Sequence, residues 1–123
     1  MKNRRINNNE LEIIGDNNEV ILVIAETIEN GTMNMTLRGE LRNETAHEFE
    51  DELMAALTVC NTIRLDLSDV TYVASMALSC LLAVQQIIDD NDNSRLVIVA
   101  ASKPAADMFD QLNFNEILEI EAK

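Results

Sequence analysis

Few residues in this chain are of a kind that does chemistry. The one histidine, His47, lies between Ala46 and Glu48 in a helical pattern, about 200° around the wheel from the apolar Phe49, so it faces solvent. The acid pairs Asp66 with Asp69 and Asp89 with Asp90 have no accompanying base and read as strand-end, cap and loop carboxylates. Cys60 closes one helical pattern and Cys80 lies within another, without C-x-x-C spacing or clustered His; both read as reduced, core-facing thiols, and no metal is expected. No nucleophile elbow, H-E-x-x-H or phosphate-cradling glycine loop occurs among only three glycines, Gly15, Gly31 and Gly39. The chain is not expected to be an enzyme or to need a cofactor.

Ser75 is different. It follows the stretch from Leu65 to Ala74, where a buried strand is expected to end at Leu67, a short loop to cross, and Ser75 to start a helix. Two readings are open. A serine there can be an N-cap whose hydroxyl accepts a backbone N–H. A phosphate added there would also be tolerated, because it meets unpaired N–H groups and the positive end of the helix dipole.

The elements that must position Ser75 follow from periodicity. Glu10 to Ile14 alternates, Gly15 to Asn18 turns, Val20 to Ala25 is a β-branched apolar run, and Asn30-Gly31 suits a tight hairpin before the alternating Met33, Met35 and Leu37. Three antiparallel strands are expected. The period then becomes helical at Ala46, Phe49, Leu53, Ala56 and Leu57, started by a Thr45–Glu48 capping box. Thr62 to Leu67 is strand-like, Leu78 to Ile88 helical until the polar run from Asp89 to Asn93, and Arg95 to Ala100 strand-like again. Ser102 caps a third helix with Pro104 in its first turn; Ala105, Met108, Phe109 and Leu112 are its apolar face, Asn113 is placed to end it left-handed, and Glu116 to Glu121 is a final strand. This predicts one α/β (α+β) domain over residues 10–123, a mixed sheet with antiparallel N-terminal strands and three or four helices on one or both faces, its crossovers right-handed. The Asn-rich residues 1–9 are expected to be a loose tail.

Composition excludes several partners. The net charge is −13, and no segment forms a basic tail or an acidic block; phosphate backbones and anionic lipid surfaces both call for clustered Lys and Arg. The four aromatics, Phe49, Tyr72, Phe109 and Phe114, make no platform for bases. With 47% hydrophobic residues the chain can bury a core, yet no stretch reaches the roughly 18 apolar residues that span a bilayer. Residues 1–9 lack the apolar segment of a secretion signal. A cytoplasmic protein without direct membrane insertion is expected.

Three stretches resemble the STAS domain family, and specifically bacterial anti-sigma factor antagonists. Leu37-Arg38-Gly39-Glu40-Leu41 with Thr45-Ala46 looks like L-x-G-E-L-D-x-x-T-A; Leu65 to Leu78 looks like L-D-L-S-x-V-x-x-x-D-S-x-G-L; and Ala101 to Ala105 through Phe109, Leu112 and Phe114 resembles the closing strand and helix. The resemblance implies a domain that docks on a GHKL-type serine kinase acting as an anti-sigma factor, with Ser75 as phosphoacceptor and Arg42, Ala74, Ser75, Met76 and Ala77 at the contact. Phosphorylation would release the partner, since a dianion in an interface built for a hydroxyl brings repulsion and desolvation. Three positions depart from the pattern: Ala74 stands where the family has Asp, Ala77 where it has Gly, and Arg42 where it has Asp. Arg42 can face solvent or favour a phosphoserine by charge-assisted hydrogen bonds. Met76 reads as core packing, with adaptation to a partner as its other role. STAS domains also serve as accessory subunits of lipid-transporting ABC complexes without a phosphoswitch, which is the alternative. Glu44, Glu48, Glu50, Asp51 and Glu52 would frame the contact with acid and favour a partner with a basic rim. Oligomeric state is not legible.

Overall fold

The computed structural model describes residues 9–91 and 93–121 in full and 2–5 by backbone. Seven strands form one sheet in sequence order: β1 (Lys2–Arg5), β2 (Glu10–Ile14), β3 (Val20–Glu29), β4 (Thr32–Leu41), β5 (Thr62–Val73), β6 (Arg95–Ala101) and β7 (Glu119–Ile120). The first four pair antiparallel and the last four parallel. Each parallel step needs a crossover, and α1 (Ala46–Val59), α2 (Ser75–Asp89) and α3 (Lys103–Gln111) supply the three. At the β3–β4 hairpin Asn30 and Gly31 take φ values of 52° and 80°, the left-handed pair that an Asn-Gly turn provides.

Strand alternation decides where the core lies. Met33, Ile63 and Leu96 stand side by side across three strands, as do Met35, Leu65 and Ile98. All are buried in one cluster with Phe49 and Leu53 of α1, Leu78, Leu81 and Val84 of α2, and Phe109 of α3. The three helices therefore pack on one face of the sheet. The opposite face carries Asn34, Thr36, Arg38, Arg64 and Asp66, none of them buried. No helix among the described residues is long and apolar enough to cross a membrane.

Several expectations are corrected. Of the tail expected over residues 1–9, residues 2–5 form a strand paired with β2, and Asn9 O accepts from Glu26 N at 2.7 Å; residues 1 and 6–8 lie outside the described residues. The helices among the described residues number three, within the expected three or four, with single 3-10 turns at Asn43–Thr45 and Phe114–Glu116; the final strand shrinks from residues 116–121 to Glu119–Ile120. Leu112, expected on the apolar face of α3, is its exposed C-cap; Asn113 is left-handed as read, at φ 57°.

The largest correction concerns β5, which runs to Val73 where a loop was expected after Leu67. Its partner register slips twice, first between Thr36 and Arg38 and again between Gly39 and Glu40, with β5 carrying the extra residue each time. These are bulges. Asp66 Oδ1 accepts from Ser68 N at 2.9 Å in the first, and Thr71 Oγ1 donates to Gly39 O at 3.3 Å at the second. The polar Ser68-Asp69 that resembles a loop is a bulge inside a continuing strand, which still turns Val70 and Val73 into the core.

Candidate partner-docking edge

β4 and β5 end together. Leu41 pairs with Val73, and Ala74 N–H donates to Leu41 O at 2.8 Å, so Arg42 and Ala74 leave neighbouring strands side by side. Two turns start here. After β4 the chain folds into the 3-10 turn that leads to α1; after β5, Ala74 is the extended N-cap residue of α2 (φ −85°, ψ 157°).

The first turn is organised by Thr45, which is fully buried. Its Oγ1 accepts from Arg42 N at 2.9 Å and lies 3.1 Å from Arg42 O and 3.4 Å from Glu40 O, toward which its single hydroxyl proton can be directed. Thr45 thus reaches back to β4 and makes no side-chain cap for α1, which replaces the expected capping box with Glu48. Gly39, just upstream, has φ 119°, and a Cβ there would lie 2.3 Å from Ile21 O. Only glycine lets β3 and β4 approach so closely.

Arg42 is part-buried and paired with acids of its own segment. Its Nε donates to Glu40 Oε1 at 2.8 Å, with Glu44 Oε2 at 3.8 Å from a terminal nitrogen. The hydrogen bond to Glu40 raises its pKa against some desolvation, and the charges of Glu40, Glu44 and Glu19 add to the rise. The cation standing where the family has an acid is thereby matched to acids on its own segment.

Ser75 is the first residue of α2 and exposed, and its hydroxyl makes no hydrogen bond among the described residues. The N-cap reading is corrected: that position belongs to Ala74, which is 5% exposed and has no side-chain acceptor. Ala77 is fully buried, so Ala74 and Ala77 hold the helix start against the core while Ser75 and Met76 point outward. Met76 is 45% exposed, against the expectation of core packing. Sequence reasoning missed two neighbours. Tyr72 is 51% exposed and pairs in register with Glu40. The alternation Gly39-Glu40-Leu41 signals that Glu40 leaves the core, but the bulges hide the same signal for Tyr72.

Other candidates stand apart. His47 is 77% exposed, with Nδ1 3.9 Å from Glu50 Oε1. Cys60 and Cys80 are free and buried, as read. Burial, followed by the nearby Glu50, pushes the Cys80 thiol up. No three His, Cys, Asp or Glu side chains among the described residues converge as metal ligands.

The family model described as "Mlab, STAS domain" matches residues 24–119, a span that includes β4, β5, the whole docking edge and all three helices. The chain belongs to the STAS domain family. No curated protein matches it. In structure, this STAS domain is similar to an anti-sigma factor antagonist from Mycobacterium paratuberculosis, with a TM-score of 0.73 at 16% identity over 88% of this chain and 89% of that one. It is also similar to the anti-sigma factor antagonist SpoIIAA in its unphosphorylated form, with a TM-score of 0.66 at 13% identity over 79% and 86%. The phosphorylated form of the Bacillus cell fate determinant SpoIIAA gives 0.62 at 13% over 79% and 89%. At these identities the likeness is one of fold.

Proposed function

We propose that this STAS domain is a non-enzymatic regulatory module that binds a protein partner through the edge at Arg42, Ser75 and Met76, where the buried Ala74 and Ala77, expected at the contact, instead hold the helix start from behind. The partner is a GHKL-type serine kinase that is also an anti-sigma factor, and phosphorylation of Ser75 releases it. One observation carries this reading: Ser75 offers an exposed, unbonded hydroxyl on a rigid helix start, with the exposed Met76 beside it. A kinase can reach it without unfolding anything. The phosphate would enter a surface already bearing Glu40 and Glu44, and because Arg42 is engaged with both, the added charge would repel an apposed partner more than the domain could compensate.

The second reading, an accessory subunit of a lipid-transporting ABC complex without a phosphoswitch, is favoured by the description of the matching family model and by the absence of the family's Asp and Gly at Ala74 and Ala77. The test incubates the domain with the cognate kinase and ATP and maps phosphate by mass spectrometry. The expected result is phosphate on Ser75, with Ser75→Asp binding the kinase weakly and Ser75→Ala binding it tightly. Phosphate elsewhere or nowhere, with a transporter ATPase retained on the immobilised domain, would replace the first reading with the second.

A further inference from the structure

α1 and α2 lie side by side over the sheet, and the seam between them opens beside Ser75. Cys80 Sγ of α2 donates across it to Glu50 Oε1 of α1 at 3.7 Å. Burial first, then the charges of Glu50 and Asp51, raise the Cys80 thiol, so both carboxylates stand along this line. On α2, Met76, Ala83 and Ile87 fall on one stripe of the wheel, next to Cys80. On α1, Met54 lies one turn beyond Glu50 on the same face. Met54, Met76 and Ile87 are 36%, 45% and 44% exposed, and Ala83 is half-buried. From Met76 to Ile87 the stripe runs about 17 Å.

Two features of the seam are not needed for folding. The chain is 25% charged, yet α2 carries no charged residue from Ser75 to Ile88, although Ser75, Met76, Ser79, Gln86 and Ile87 are exposed. An outward helix face ordinarily carries charge, whereas depletion of charge around exposed methionine is the composition of an interface core. The second feature is the sign of what surrounds it. α1 bears Glu48, Glu50, Asp51 and Glu52, and neither helix contains a Lys or Arg. His47 lies 3.9 Å from Glu50, and Arg42, at the Ser75 end, is held by Glu40 and Glu44. The seam is therefore apolar along its floor and acidic along its α1 side.

These charges choose the occupant. A second copy of the chain would set the acids of α1 against acids, and anionic lipid or nucleic acid would meet the same repulsion. A protein segment bearing Lys or Arg is matched. The groove between two helices takes a third helix, which presents apolar anchors on one face, and the methionines can adapt to it.

We infer that the α1–α2 seam seats an amphipathic helix of the protein partner, its apolar face on Met54, Met76, Ala83 and Ile87 and its basic flank against Glu50 and Asp51. The inference rests on the edge at Ser75 being a partner's contact, with which the seam is continuous through Met76, but not on phosphorylation of Ser75. The test titrates the full chain, labelled with ¹⁵N and with ¹³C at the methionine methyls, with a synthetic helical peptide that has Leu at i, i+4, i+7 and i+11 and Lys on its flanks. Two control peptides disperse the same leucines around the helix or replace every Lys by Glu. Salt is set to screen charges over about 8 Å. The first peptide alone is expected to give saturable shifts at the Met54 and Met76 methyls and the Ala83 and Ile87 amides. Ala83→Lys and Ile87→Lys are each expected to weaken binding about tenfold, and Glu116→Lys, an equal change of charge at an exposed position outside the seam, to leave it within twofold. Ile87 is exposed, so Ile87→Lys decides the matter if the half-buried Ala83→Lys fails to fold. No saturable shifts at the seam, equal binding of the dispersed peptide, or Ile87→Lys binding as wild type does would each overturn the inference. If the peptide seats here while the kinase leaves Ser75 unmodified, the seam stands and the phosphoswitch falls; if Ser75 is phosphorylated and the peptide shifts nothing, the seam alone falls.

Discussion

Replacing Thr45 by Val tests how the docking edge is built. Val has nearly the shape of Thr, and Thr45 is fully buried, so little cavity is created and the change isolates the hydroxyl. Lost with it are the 2.9 Å bond from Arg42 N–H and the donation toward Arg42 O or Glu40 O. A buried donor left without its acceptor costs about 1–3 kcal/mol. Because Arg42 is only partly buried, water can recover some of this, and about 1.5 kcal/mol is expected. For a domain of this size that corresponds to a fall of roughly 5–7 °C in Tm. Thermal and urea unfolding followed by circular dichroism at 222 nm would measure it. The paired control is Glu48→Ala. If Thr45 and Glu48 formed a capping box, both substitutions would cost about 1 kcal/mol; with Thr45 turned back toward β4, Glu48→Ala is expected to cost no more than about 0.5 kcal/mol. Equal losses in the two variants, or Thr45→Val within about 0.5 kcal/mol of wild type, would refute the argument.

Two further perturbations probe the frame around that edge. Gly39→Ala forces a Cβ to within 2.3 Å of Ile21 O at φ 119°, and a cost of about 3 kcal/mol is expected from strain and displaced backbone; a urea midpoint unchanged from wild type would contradict the close approach of β3 and β4. The hydrogen bond from Arg95 holds the Glu119 carboxyl below its ordinary range, against some desolvation. A carboxyl depressed in the folded state contributes stability above its unfolded pKa and loses it as pH falls through the folded value. Both side chains are about half exposed, so Arg95→Met should lower the urea midpoint only slightly at pH 7, and the gap should close on acidification below about pH 4. A gap that is constant with pH would show that the pair does not anchor β7 electrostatically.

Most of the fold was legible because its elements announce themselves locally. Alternation of Met33, Met35 and Leu37, the Asn30-Gly31 turn, the helical recurrence from Ala46 to Ala56 and the Ser102-Pro104 start of α3 depend on neighbours close in sequence. The capping of α3 is as read, with Ser102 Oγ accepting from Ala105 N at 3.4 Å. The misread places are those where a distant partner overrides local pattern. Ser68-Asp69 has loop composition, but pairing with β4 keeps the chain extended, and each bulge shifts the side-chain alternation by one residue. Thr45-x-x-Glu48 has the spacing of a cap, but Arg42 N–H occupies the Thr45 hydroxyl oxygen at 2.9 Å and the hydroxyl proton is directed back toward β4.

The docking edge divides the same way. The sequence by itself determined that Ser75 starts a helix, that its neighbours Ala74 and Ala77 are small, and that the surrounding chain is acidic, because residue type and order are local properties. Only the tertiary structure decided that Ala74 rather than Ser75 caps the helix, that Met76 and Tyr72 face outward, and that Arg42 is held by Glu40 and Glu44. Each of those outcomes depends on how β4 and β5 end side by side. That adjacency arises from parallel strands joined by a 14-residue helix, and no window of sequence short enough to show a period can contain both.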